Sequence, residues 1–293
     1  MTGIAACQLR LAVGQVDVNR ARARDAIERA ASGGAELIVL PELTPSGYAF
    51  HDDAEARALA ETPDGPTARE WQDLSRRLGV VIIGGFCERG PGDTLFNSAV
   101  VFENGQLRTT YRKAHLWDEE TQIFTPGDQP PPVVDTSVGR VGTMICYDLE
   151  FPEWTRLAAL AGADLLAAPT NWPLAARPDG ERPMEVVRVQ AAASVNRMFI
   201  VAADRCGEER SVAWVGGSVI VDPDGFPLAG PVAADEERNL HAHIDLSQAR
   251  DKKISKHNDV LADRRLDLYD TGTSSATRTP TRLRRGRPAH EHE

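Results

Sequence analysis

The chain has no two cysteines close enough in sequence to clip a metal or frame a small disulfide scaffold. Its four, Cys7, Cys87, Cys146 and Cys206, stand far apart and form no Cys-x-x-Cys pair. Isolated thiols of this kind suit a reducing cytoplasm, and each is by default a small buried hydrophobe. No stretch reaches the roughly 18–20 apolar residues that a bilayer span needs, so no membrane partner is expected. Met1–Leu9 lacks a basic flank, a long apolar core and a cleavage site, and is not expected to serve as a secretory signal. Positive charge is also short. With 33 Lys and Arg against 43 Asp and Glu, the net charge is −10. Phosphate-rich partners such as nucleic acid or an anionic membrane would be repelled. The deficit is uneven: residues 271–293 hold five Arg and two Glu, a net +3, which leaves −13 on residues 1–270.

What remains is ordinary globular material. The 293 residues are 42% apolar, enough for one large core. Short β-rich runs alternate with amphipathic stretches. Strands are expected at Ile4–Leu9, Leu37–Leu40, Val80–Ile83, Ser98–Phe102, Thr109–Lys113, Val141–Cys146, Leu165–Ala168, Phe199–Ala203, Ser218–Val221 and His241–Ile244. Helices are expected over 19–31, around Trp71, Leu74 and Leu78, and over 152–161 and 183–196. Asn104-Gly105 suits a tight hairpin. The order predicts a single α/β domain over 1–270 with a large mixed sheet, followed by a loosely ordered Arg-rich tail at 271–293.

Three positions have chemical promise. Cys146 ends an apolar strand just before a helix start, where backbone N–H groups and the helix dipole favour a thiolate and can hold an oxyanion. Its plainer reading is a structural thiol. Glu42 follows Leu37-Ile38-Val39-Leu40-Pro41, and Lys113 follows the hairpin. Each alone reads as a solvated charge at a strand end. Together they read otherwise. Leu40-Pro41-Glu42, Tyr111-Arg112-Lys113-Ala114-His115-Leu116 and Met144–Glu153 resemble, in order, the three signature blocks of the nitrilase-like carbon–nitrogen hydrolases. The likeness continues through Phe124-Thr125-Pro126-Gly127-Asp128, Ser218–Gly225 and Ala262–Arg265, and so spans roughly 3–270.

The resemblance implies a four-layer αββα sandwich, a homodimer or higher homo-oligomer, and a Glu42–Lys113–Cys146 triad. It also implies a second glutamate, Glu120, or Glu119 after a one-residue slip. Amides resist attack, so a strong nucleophile and an oxyanion site are both required. Cys146 would attack as a thiolate whose pKa Lys113 lowers. Lys113 and the backbone N–H of Tyr147 would hold the oxyanion, Glu42 would shuttle protons, and Glu120 would orient Lys113 or the substrate. No metal or organic cofactor is called for.

Tyr147-Asp148 replaces the Trp-Glu usual in true nitrilases and so resembles the amidase and carbamoylase branches. The expected substrate is a small carboxamide, with N-carbamoyl compounds as the alternative. Glu150 stands where relatives acting on dicarboxylic amides carry Arg. An acid there suits a neutral or amine-bearing substrate, or merely a helix N-terminus. Asn171 and Trp172 follow a strand that should end beside Cys146, making them candidate substrate contacts. Three rival readings are a Cys146–His115 dyad, a metal site begun by His241-x-His243, and a catalytically silent binding or assembly module.

Overall fold

The structure is a computed structural model, described for residues 1–232 and 235–269. The tail expected at 271–293 lies outside the described residues. In chain order the elements begin with β1 (Thr2–Gln8), α1 (Val16–Ser32), β2 (Leu37–Val39), α2 (Asp53–Leu59), α3 (Pro66–Leu78), β3 (Val81–Arg89), β4 (Leu95–Glu103) and β5 (Gln106–Arg112). They continue with α4 (Glu120–Ile123), β6 (Val133–Thr136), β7 (Gly139–Thr143), a 3-10 turn over Cys146–Glu150, α5 (Pro152–Leu160), β8 (Leu165–Pro169), α6 (Met184–Asn196) and β9 (Phe199–Ala203). A small hairpin, β10 (Glu208–Glu209) and β11 (Val212–Ala213), precedes β12 (Val219–Val221), β13 (Pro227–Ala229), β14 (Arg238–Ile244) and the short α7 (Leu266–Tyr269).

Alternation in the strands decides the layers. In β1, Ile4 and Ala6 point one way, Ala5 and Cys7 the other, and all four are buried. A strand buried on both faces needs cover on both. Ala5, Cys7 and Ile38 pack under Ala23 and Ile27 of α1 and Trp71 and Leu74 of α3. Ile4, Ala6 and Val39 instead meet Leu165, Ala167 and Val201 of a second sheet. The far face of that sheet, with Leu166 and Ile200, lies under Ala158 of α5 and Val189 of α6. The result is helix, sheet, sheet, helix. The residues alone suggested one large sheet, whereas there are two of six strands each, ordered β14-β1-β2-β3-β4-β5 and β13-β12-β9-β8-β7-β6. The four layers implied by the family resemblance are the ones present.

Pairing is parallel at β1–β2, β2–β3, β7–β8 and β8–β9. The C-terminal ends of β2, β7 and β8 therefore open toward the loops that follow them, where ligand sites of open α/β sheets gather. The expected hairpin joins β4 to β5, with Asn104 and Gly105 both at positive φ (49° and 75°), as a type I′ turn demands. No helix among the described residues is long and apolar enough to cross a membrane.

Candidate active site

Glu42 lies three residues beyond β2, in a segment strapped to β3. Gly85 N–H donates to the Pro41 carbonyl at 3.1 Å, and Thr44 N–H donates to the Gly85 carbonyl at 2.9 Å. A Cβ on Gly85 would fall 2.6 Å from the Glu42 Cα, so only glycine lets the two backbones come this close. Lys113 is the first residue past β5, and its N–H donates to the Asn97 carbonyl at 2.8 Å. Its own carbonyl takes the Gly127 N–H at 2.8 Å, while a Cβ on Gly127 would sit 2.2 Å from the Arg112 carbonyl oxygen. The Phe-x-Pro-Gly turn is thus a clamp on the backbone of the lysine. Cys146 opens the 3-10 turn at φ 47°, a left-handed conformation that a non-glycine residue adopts only when its surroundings impose it.

The charged side chains converge. Lys113 Nζ lies 2.7 Å from Glu42 Oε1 and 2.9 and 2.8 Å from the two oxygens of Glu120. Asn97 Nδ2 donates to Glu42 Oε1 at 2.6 Å and to Glu120 Oε1 at 3.0 Å. The backbone N–H of Trp117 closes the set by donating to Glu120 Oε2 at 2.8 Å. Of the two candidate second glutamates, Glu120 is the one on Lys113. The Cys146 thiol donates to the Asn171 carbonyl at 3.7 Å, and Asn171 Nδ2 donates to the Glu42 carbonyl at 2.9 Å. A loop from one sheet is thereby tied to a loop from the other, beside the sulfur.

The family model for carbon–nitrogen hydrolases matches residues 3–254. The chain belongs to the carbon–nitrogen hydrolase family. A Pyrococcus abyssi (strain GE5 / Orsay) protein named nitrilase is 37% identical, covering 92% of this chain and 99% of that protein. An (R)-stereoselective amidase from a Pseudomonas species is 34% identical over 87% of this chain and 88% of its own. Among solved structures, an amidase from Nesterenkonia sp. AN1 superposes with a TM-score of 0.77 at 28% identity, covering 92% of this chain and 99% of that one. That structure, of a Glu-to-Gln mutant, shows the result of Michael addition of acrylamide at the active site cysteine. This chain is a hydrolase of carbon–nitrogen bonds other than peptide bonds, and its relatives place it among enzymes of amide hydrolysis.

Burial sets the protonation states in the hydrolase. It pushes the Glu42 carboxyl up to about 7, although Lys113 pulls the other way. Burial alone would drive Lys113 toward neutrality, but Glu120 and Glu42 override it and hold the ammonium above its usual range. Burial, aided by the charge of Glu42, raises the Cys146 thiol well above its ordinary value despite Lys113. The lowering expected from Lys113 is present, but burial and Glu42 outweigh it, so the direction favours a thiol that must give up its proton before attack.

Cys146, Tyr147, Glu150, Asn171 and Trp172 line one cavity of about 150 Å³, together with Trp117 and Glu185. Trp117 and Pro173 are shared with a larger cavity of about 430 Å³ that runs past Tyr48, Phe50, Glu120 and Trp214. Glu150 is held by Arg188 at 2.9 Å, and burial raises its pKa. Trp172 is fixed by donation of its backbone N–H to Asp204 at 3.0 Å.

His115 is in contact with Asp148 and Phe151. Its Nδ1 lies 2.7 Å from Asp148 and its ring stacks on Phe151 at 3.8 Å. His241 and His243 lie on β14 at the edge of its sheet. Among the described residues no group of three or more His, Cys, Asp or Glu could hold a metal ion.

Sequence reasoning missed three contributors. Asn97 bridges both glutamates, and its signal was an amide, followed by Ser98, set in a strand whose other residues up to Phe102 are apolar, since a buried polar group must have a partner. Tyr48 lies among Glu120, Glu42 and Cys146, and burial with these charges raises its phenol well above the usual range. Asp148, read from the sequence only as a marker of the branch, is fully buried, and its positioning role was missed.

Proposed function

We propose that this hydrolase converts a small, linear carboxamide into its carboxylic acid and ammonia through a thioester on Cys146. The observation that carries the reading is the buried ammonium of Lys113. It is clasped by Glu42 and Glu120 while its charge reaches the sulfur. A buried cation with two carboxylates and a thiol is a costly arrangement for stability alone, and it meets the demands of acyl transfer one by one.

Glu42 takes the thiol proton as sulfur bonds to the carbonyl carbon. The oxyanion that forms rests between the Lys113 ammonium and the Tyr147 backbone N–H. Glu42 hands its proton to nitrogen, the C–N bond breaks, and ammonia leaves a thioester behind. Water then gives one proton to Glu42 as its oxygen bonds to the acyl carbon. The C–S bond breaks, the acid departs, and Glu42 returns the proton to sulfur. A placed acid–base group is typically worth about 10²–10⁴ in rate, and one oxyanion donor about 3–4 kcal/mol. Glu120 holds Lys113 in place throughout. No cofactor takes part.

Glu150 and Glu185 on the cavity wall favour neutral or amine-bearing acyl groups over anionic ones. The relatives named for amidase activity support amide chemistry, and Tyr147-Asp148 favours it over nitrile chemistry, which the relative named nitrilase keeps as an arm of the test. We further infer a cytoplasmic homodimer. Exposed Leu157 and Leu160 on α5 and Val187 on α6 support the self-association. The test is ammonia release from a panel of aliphatic amides, amino-acid amides, ω-amino amides, N-carbamoyl amino acids and nitriles, with intact-mass detection of the acyl-enzyme. An amide should be the best substrate and should add its acyl mass to the protein. A Cys146→Ala protein that still releases ammonia sinks the proposal.

A further inference from the structure

Two buried oxygen atoms beside the thiol have no hydrogen-bond partner among the described residues: Oε2 of Glu42 and Oδ1 of Asn171. Buried acceptors are nearly always satisfied, so a pair left open at one site asks for donors that arrive with a ligand. Asn97 Oδ1, behind the two glutamates, is unpaired as well, and so are atoms farther off on Asn196 and Asn239, but of these residues only Asn171 lines the cavity of the sulfur, and its backbone carbonyl accepts the S–H. The orientation of the amide is fixed by its surroundings. Turning it over would set Oδ1 against the Glu42 carbonyl, which now takes Nδ2–H at 2.9 Å. The Asn171 backbone carbonyl is occupied by the thiol. Oδ1 is what Asn171 has left to offer a substrate.

We infer that the Asn171 side chain is a specificity-determining acceptor. With Glu42 Oε2 it receives the two N–H groups of a primary carboxamide, one each. This rests on the amidase reading and says which group at the scissile bond the site selects. Donor count is the discriminator. A –CONH₂ group brings two N–H donors, an N-methyl amide one, and an ester or nitrile none. A substrate lacking them leaves one or both buried oxygens unpaired when it displaces water, and sites built this way discriminate strongly. The role differs from that of Glu42, which moves protons; Asn171 moves none.

The test compares one acyl group presented as primary amide and as methyl ester, on the wild-type enzyme, Asn171→Leu and Asn171→Asp. Leu removes the acceptor and the Nδ2 anchor, whereas Asp keeps an acceptor and alters the anchor. Loss of the anchor slows both substrates; loss of the acceptor slows the amide alone. The ratio of kcat/KM, amide over ester, should fall about tenfold in Asn171→Leu and stay within about twofold of wild type in Asn171→Asp, with melting curves confirming both folds. An unchanged ratio in the Leu variant, or an equal fall in both, overturns the role of Asn171 while leaving the amidase reading intact. A wild-type enzyme that turns over neither substrate overturns the amidase reading itself, and this inference with it.

Discussion

Asp148 accepts the backbone N–H of Ile145 at 3.1 Å, so the residue before the nucleophile is held by the residue two places after it. The same oxygen takes the Tyr111 hydroxyl at 2.7 Å, and the other takes the N–H and Nδ1 of His115 at 3.0 and 2.7 Å. Tyr111 and His115 flank Lys113. One carboxylate therefore fixes both the left-handed backbone at Cys146 and the strand end bearing the ammonium. In Asp148→Asn an NH₂ must replace one oxygen and face donors on whichever side it takes. Misplacing the nucleophile by about an ångström is expected to lower kcat on the order of 10²-fold, with KM changing far less. Initial-rate kinetics beside a melting curve check this; full turnover at an unaltered Tm would show that Asp148 positions nothing.

The pH dependence follows from Glu42. Its carboxyl is raised to about 7 by burial and must be ionised to accept the thiol proton. Below that value kcat/KM should fall about tenfold per pH unit, levelling off above it. Stability has the opposite slope for this group. A carboxyl raised in the fold favours the protonated native state, so its contribution is full below the unfolded value and is lost as pH climbs through about 7. A pH–rate profile of the free enzyme with no inflection between pH 6 and about 8 would remove Glu42 as the base.

The strand list and the three charged positions could be read from the chain because each has a local signature. What could not be read has no local signature. Period-two burial shows that β1 is covered on both faces but not whether its cover is helix or sheet, which is why two sheets looked like one. Gly84-Gly85 reads as the end of a strand after Ile83, yet β3 runs on to Arg89. The missing side chains make room there: a Cβ on Gly84 would fall 2.6 Å from the Trp71 ring. The short α2, β6 and β13 offered too few residues for any period to emerge. At the site, the motif blocks indicated Glu42, Lys113 and Cys146, whereas the protonation of the thiol depends on burial, which only the fold supplies.

Behind the larger cavity, Arg205 and Glu209 form a buried ion pair at 2.8 and 3.1 Å, with the guanidinium 4.5 Å above the Trp214 ring. Glu209 also accepts the backbone N–H groups of Tyr48 and Ala49 at 3.1 and 2.7 Å. Arg205→Ala strands that carboxylate in the interior, which typically costs about 3–5 kcal/mol. The expected result is a Tm lower by on the order of 10 °C, read by calorimetry. A change of a degree or less would mean that Glu209 stays satisfied without its cation.

The last prediction concerns the wall that faces the acyl group. Glu150 and Glu185 both line the cavity of the thiol, and Arg188 lies between them, 2.9 Å from the first and 3.8 Å from the second. Two carboxylates and one guanidinium leave the wall at net −1, and Glu150→Arg turns it to net +1. For an acyl chain carrying a charge at its far end, the change reverses the sign of the interaction, repelling a cation and attracting an anion, without touching the reacting atoms. The ratio of kcat/KM for an anionic amide over a cationic one should therefore rise at least about tenfold. The shift should appear mainly in KM, because the contact is the same in ground and transition state. Arg188→Ala should move the ratio the opposite way by baring both carboxylates. Equal ratios in wild type and both variants would mean that the substrate's far end does not reach this wall.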